Sequence, residues 1–193
     1  MNYPNGSRVG PKSRPIFKQG YGNRGMTLEN DINDTNKFYL ETDRAVIHKK
    51  PTPIQIVNVD YPKRSAAVIK EAYFKQASTT DYNGIYKEKY IDFEAKETKN
   101  TTSFPFANIH AHQIKHMEKV ISHGGVCFII IRFSKLDKTY YVPAEILLQS
   151  WQISLSGGRK SIPYRLIQEK GFLIPFQYQA KVNYLDIIDH LYF

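Results

Sequence analysis

Residues 79–97 read TTDYNGIYKEKYIDFEAKE, and their alternation decides how the rest of the chain is arranged. Side chains two apart on a strand share a face, so Ile91, Phe93 and Ala95 point to a core while Asp92, Glu94, Lys96 and Thr98 point the other way. A two-residue loop at Lys87 and Glu88 pairs Tyr86 with Lys89 and sets Asp81 opposite Glu94. Lys-Glu is a poor sequence for the type I′ turn that such a loop needs. Two carboxylates facing each other across a ladder repel, and a divalent cation between them removes that penalty. Hard carboxylate oxygens suit Mg2+, which binds through one or two carboxylates and completes its shell with water and substrate phosphate. Such an ion polarises a phosphodiester and supplies a hydroxide nucleophile, and Lys96 at the rim is placed to steady the developing charge. An Asp followed thirteen residues later by Glu-x-Lys is a weak signature by itself. The same text also fits a solvated strand face with a Glu–Lys pair.

Outward from this hairpin the pattern is mixed α/β. Thr27 caps a helix running to about Asp43, with Leu28, Ile32 and Tyr39 on one face and Glu29 in its first turn. Ala45 to Lys49 is a short strand. Ile54 to Tyr61 and Ile69 to Gln76 are both β-prone, and they fit either a long two-stranded arm or two ordinary core strands. Asn108 to His123 reads as a helix closed by Gly124 and Gly125. Val126 to Phe133, VCFIIIRF, is the near-continuous apolar run of a central strand covered on both faces. A strand near Thr139 to Val142 precedes a helix that starts at Pro143. A second short helix is expected from Ser161 to Lys170 and an amphipathic one over the last residues. The order is that of a three-layer domain.

At 193 residues the chain suits one domain, residues 26–193, with residues 1–25 as a flexible basic arm rich in Pro and Gly. No apolar run approaches the ~18 residues of a bilayer span, and no signal peptide opens the chain, so a cytoplasmic protein without a membrane partner is expected. The net charge of +9 favours an anionic partner such as nucleic acid or a membrane surface. All of that excess lies in two segments. Residues 1–25 carry Arg8, Lys12, Arg14, Lys18 and Arg24 with no acid, and residues 49–75 carry Lys49, Lys50, Lys63, Arg64, Lys70 and Lys75 against Asp60 and Glu71.

Other chemistry-bearing residues are weaker candidates. The single cysteine, Cys127, sits inside the central apolar run and reads as a buried structural thiol. His112 and His116 lie one helical turn apart, but no third ligand of the usual kind accompanies them. DNA-facing or partly buried histidines are the preferred reading. Tyr61, Tyr73 and Phe74 suit either base stacking or cross-strand packing. The SGGRKS loop lacks phosphate-loop spacing and reads as a solvated connection.

Four stretches carry a resemblance: RGMTLENDI, HKKPTPIQIVNVDYPKRS, STTDYNG and YIDFEAKETKNTTSFP. Together, and in this order, they closely resemble the RecU family of Holliday junction resolvases from Gram-positive bacteria, over about residues 20–190. The resemblance implies a restriction-endonuclease-like core with a central mixed sheet between helices, acting as a homodimer with Mg2+ on four-way DNA junctions. It implies that Asp81, Glu94 and Lys96 are the nuclease acids and lysine, with Thr80 in the same motif. Glu29 would match a first-helix acid and Gln113 a polar residue on the following helix, so that Asp81, Glu94, Thr80 and Gln113 form the metal set. Residues 53–77 would be a projecting stalk that enters the junction. Arg24, Lys63, Arg64, Lys70 and Lys75 are the expected DNA contacts. A link to the recombinase filament is expected at the level of the family alone. Two rival functions remain: a duplex endonuclease without junction preference, and a non-catalytic junction-binding protein.

Overall fold

The computed structural model describes residues 27–62, 67–75 and 79–193. The N-terminal arm with Arg24, and Lys63 and Arg64, lie outside the described residues. In chain order the elements are α1 (Leu28–Glu41), β1 (Val46–Lys49), β2 (Ile54–Asp60), β3 (Val68–Phe74), β4 (Tyr82–Tyr86), β5 (Lys89–Thr98) and β6 (Ser103–Pro105). A 3-10 turn leads into α2 (Ala111–Ser122), β7 (Val126–Phe133), β8 (Lys138–Pro143) and α3 (Ala144–Leu155). The chain then forms β9 (Ser161–Pro163), α4 (Tyr164–Lys170), β10 (Phe172–Ile174) and α5 (Leu185–Tyr192).

Six strands make the main sheet in the order β1-β4-β5-β7-β8-β10. The pairs β1/β4, β4/β5, β7/β8 and β8/β10 are antiparallel, while β5 and β7 run parallel across the α2 crossover. A helix, three antiparallel strands, a crossover helix and a parallel strand give the mixed α/β core, a central sheet between helices, expected from the sequence. Tyr86 pairs with Lys89, as the hairpin text requires. Lys87 and Glu88 take φ of 45° and 63°, so a type I′ turn forms despite carrying no glycine or asparagine. Gly84 is needed for a different reason, since a Cβ there would lie 2.1 Å from the Val46 carbonyl oxygen of the neighbouring strand.

Two cores flank the sheet. On one face Ile91, Phe93, Phe128 and Ile130 meet Leu28, Ile32 and Tyr39 of α1 and Leu185 and Ile188 of α5. On the other, Cys127, Ile129, Ile131 and Phe133 meet Ile114 and Met117 of α2, Leu147 of α3 and Ile167 of α4. The central run is thus covered on both sides, and burial pushes the Cys127 thiol pKa upward. Asp92 and Glu94 pair in register with Cys127 and Ile129, which places them on the face that α2 covers. A solvated strand face is therefore ruled out, because both carboxylates are 0 % exposed.

Several boundaries differ from the sequence reading. Residues Ser103–Pro105 and Ser161–Pro163 pair as a small second ladder, β6 with β9. Strand β9 moves the start of α4 to Tyr164, and the 3-10 turn over Phe106–Asn108 moves that of α2 to Ala111. β2 and β3 form a ladder of their own, with Ile54 opposite Phe74 and Asp60 opposite Val68. They are not part of the six-stranded sheet, and every residue of β3 is exposed. No helix among the described residues is long and apolar enough to cross a membrane.

Candidate active site

The first turn of α1, the β4–β5 hairpin and the first turn of α2 bring the expected residues to the sheet. Helix α1 is anchored beside the hairpin at its N-terminus: Thr27 Oγ1 accepts from Asn30 N at 3.3 Å, and Glu97 Oε1 accepts from Leu28 N at 2.8 Å. These bonds satisfy otherwise orphaned amide donors and favour a carboxylate at the positive end of the helix. Behind the cap, Arg132 Nη1 lies 2.7 Å from the buried Asp31 carboxylate and 3.8 Å from Glu97. A cleft of about 120 Å³ opens at this corner, lined by Glu29, Asp81, Tyr82 and Glu97 among others.

Glu94 is the most strained charge in the site. Neither of its carboxylate oxygens has a hydrogen-bond partner among the described residues. Lys96 Nζ lies 2.5 Å from Oε1, so the two are paired by charge. Burial first, and then the Asp81 carboxylate beside it, push the Glu94 pKa from 4.5 up to about 7, against the pull of Lys96. The sequence register that set these two acids opposite each other is thus matched by their electrostatics.

This arrangement fits a divalent cation. A fully buried carboxylate with one lysine for a partner, beside a second carboxylate, is a costly feature that a bound cation relieves. No cluster of three or more His, Cys, Asp or Glu side chains suited to a metal occurs among the described residues. The rest of a coordination shell would therefore come from water, backbone or substrate oxygens, as Mg2+ prefers.

The remaining expected residues stand further from the acid pair. Glu29 lines the same cleft as Asp81, with its carboxylate 2.5 Å from Lys49 Nζ. Gln113 is buried, and its Oε1 accepts from the His110 amide at 3.0 Å, closing the N-terminus of α2. Thr80 is also buried, but its hydroxyl donates to Asp92 Oδ1 and accepts from Lys50 Nζ at 2.9 Å. That hydroxyl is therefore committed to Asp92 and not to the Asp81–Glu94 pair. On the two-stranded ladder, Lys70 is exposed and pairs with Asp60 at 2.7 Å, and Lys75 is exposed beyond the end of β3. Phe74 is 84 % exposed, and the Tyr73 hydroxyl donates to Glu71. His116 proves partly buried, as one sequence reading held, while His110 and His112 stack on each other at 5.3 Å.

Asp92 is the residue the sequence reading left without a role. It accepts from Lys50 Nζ at 2.7 Å, the Tyr90 hydroxyl at 3.0 Å and the Thr80 hydroxyl, and His116 Nε2 lies 3.2 Å away. The available signal was an acid on a strand face whose neighbour in the sheet is the apolar run of β7. Such an acid must be buried, and a buried acid needs several donors.

The six-stranded mixed sheet between helices defines an α/β protein that carries on its middle strands the buried Glu94 with Lys96 beside it, and the half-buried Asp81 just before β4. The family model described as RecU, Recombination protein U, matches residues 23–190. The chain belongs to the RecU family. It is 64 % identical to the Holliday junction resolvase RecU of Oceanobacillus iheyensis, with 100 % of both chains covered. It is 59 % identical to the protein of that name from Geobacillus kaustophilus, covering 100 % of this chain and 92 % of the relative. Among solved structures it is similar to Hjc, a Holliday junction resolvase of Archaeoglobus fulgidus, with TM-score 0.41 and 9 % identity over 74 % of this chain and 94 % of that one.

Proposed function

We propose that the protein resolves Holliday junctions, nicking two strands of a four-way DNA junction as a Mg2+-dependent endonuclease in recombination and repair. The observation that carries this reading is the buried Glu94 carboxylate, without a hydrogen-bond partner, facing Asp81 with Lys96 beside it. The names of the full-length relatives supply the substrate class.

In this mechanism Asp81 and Glu94 are the metal-holding carboxylates, and Glu29 and Gln113 border the site from α1 and α2. When bound, Mg2+ polarises the scissile phosphate and lowers the pKa of a water. Glu94 must give up its proton first, which the proximity of Lys96 assists. The Lys96 ammonium then lies where it can orient the attacking water and offset charge building on the phosphate oxygens. In-line displacement leaves a 5′-phosphate and a 3′-hydroxyl. Thr80 acts through Asp92 and Lys50, which hold the backbone next to Asp81. Two nicks in strands of like polarity call for two equivalent sites, which a twofold homodimer provides. The β2–β3 ladder serves as the stalk: Lys70 and Lys75, with Lys63, Arg64 and Arg24, contact phosphates, the dominant source of junction affinity. The cytoplasm, where the chromosome lies, is the compartment for this activity.

The test is cleavage of a labelled four-way junction and a matched linear duplex with Mg2+, comparing wild type with Asp81→Asn at protein concentrations where both bind. Paired symmetric nicks on the junction, lost in the variant, support the reading. Equal cutting of junction and duplex would favour a general duplex endonuclease, and tight junction binding without any cleavage would favour a non-catalytic binder.

A further inference from the structure

Asp92 lies two residues from Glu94 on the same strand face, yet its four hydrogen-bond partners are residues outside the acid pair. Its carboxylate is 0 % exposed and gathers four donors from four places in the chain. Two of those places are the two ends of the segment that carries the β2–β3 ladder. Lys50 stands after β1, three residues short of the segment's first proline pair being complete at Pro53, and Thr80 stands immediately before Asp81 and β4. Lys50 Nζ bonds both Asp92 Oδ2 at 2.7 Å and Thr80 Oγ1 at 2.9 Å, and the Lys50 amide donates to the Asp81 carbonyl at 2.8 Å. Tyr90 and His116 hold the same carboxylate oxygen as Lys50, from β5 itself and from α2.

We propose that Asp92 is a positioning residue that clamps both feet of the two-stranded ladder to the sheet through Lys50 and Thr80, and so fixes where the Asp81 carboxylate stands relative to Glu94. This rests on the reading that Asp81 and Glu94 form the nuclease site. A buried carboxylate is tolerated only when its donors are complete, so the four bonds stand or fall together. The residue they constrain most directly is Asp81, which shares a backbone with Thr80 and a hydrogen bond with Lys50. Substituents that orient a metal-holding side chain without touching the metal commonly alter affinity or rate by about 10- to 100-fold.

The decisive experiment uses the full chain with Asp92→Asn, and with Lys50→Met as a second variant in case the first folds poorly. Three quantities are read: amide hydrogen exchange of Lys50 in metal-free buffer, the junction dissociation constant without metal, and the single-turnover cleavage rate of bound junction with Mg2+. The expected result is Lys50 exchange accelerated about tenfold or more, with unchanged protection in the β5–β7 ladder and unchanged junction affinity. Cleavage of bound junction falls by about tenfold or more. Wild-type protection of the Lys50 amide in both variants, or cleavage of bound junction at the wild-type rate, would overturn the proposal. So would protection lost uniformly across the sheet, which marks Asp92 as support for the fold alone. If wild type itself leaves the junction uncut while Asp92→Asn still frees the Lys50 amide, the clamp stands and the nuclease reading fails.

Discussion

Replacing Glu94 by Gln should stabilise the metal-free protein while abolishing cleavage. Glu94 is 0 % exposed and its pKa is pushed from 4.5 up to about 7 by burial and by Asp81. An acid held above its ordinary value binds more protons in the folded than in the unfolded chain between those two values. Folding stability therefore falls as pH rises through that window, and the loss is complete above about pH 7. At roughly 1.36 kcal/mol per pH unit, the charged side chain costs ~3 kcal/mol at pH 8. Gln removes that charge, the Lys96 attraction being already included in the shift, but buries an amide, which returns ~1–2 kcal/mol. The net gain of about 1–2 kcal/mol raises Tm by ~3–6 °C in a chain of this length. The assay is thermal melting in chelator at pH 5 and pH 8. Glu94→Gln should melt above wild type at pH 8, and the advantage should vanish at pH 5, where the wild-type carboxyl is protonated. Adding Mg2+ should raise the wild-type Tm and leave the variant unmoved. A variant less stable than wild type at pH 8 without metal would refute the argument that Glu94 is a strained, metal-dependent charge.

Other perturbations probe the rest of the site and its frame. Lys96→Met should lower single-turnover cleavage by about 100-fold while a filter-binding measurement shows the junction still bound. Arg132→Met strips the buried Asp31 of its closest cation, 2.7 Å away, and should cost ~3 kcal/mol in urea denaturation; a change within error would mean that Lys181, 3.6 Å from Asp31, suffices. Glu88→Gly relieves a non-glycine residue at φ 63° and should add ~0.5–1 kcal/mol, read by the same melts. Deleting residues 54–76 should leave the six-stranded sheet folded and remove the preference for junction over duplex, so a folded deletion with unchanged preference would sink the stalk assignment.

The sheet was legible where side-chain alternation is strong. The β4–β5 hairpin, the covered run of β7 and the Thr27 cap on α1 each follow from local pattern, and each forms as read. The Lys87-Glu88 turn formed against its own preference because the register on either side, with two buried cores behind it, outweighs a locally unfavourable turn. The β6–β9 pairing was not legible. Its strands are three residues each and lie more than fifty residues apart, so no local period announces them. Within the site, the Asp81–Glu94–Lys96 grouping was readable because strand register places side chains directly. The Asp92 cluster was not, because its donors come from β1's end, β4's approach and α2, and only tertiary packing brings them together. Lys50 illustrates the limit: in sequence it is one more positive charge in a basic segment, while in the fold it is a largely buried partner of a carboxylate.

The most direct test of the central claim is an anomalous difference map from a crystal of the protein soaked in Mn2+, a metal that favours the same oxygen ligands as Mg2+. The account predicts a peak within ~2–2.5 Å of carboxylate oxygens from both Asp81 and Glu94. A map with Mn2+ bound elsewhere, or with no peak between Asp81 and Glu94 at saturating metal, would contradict it.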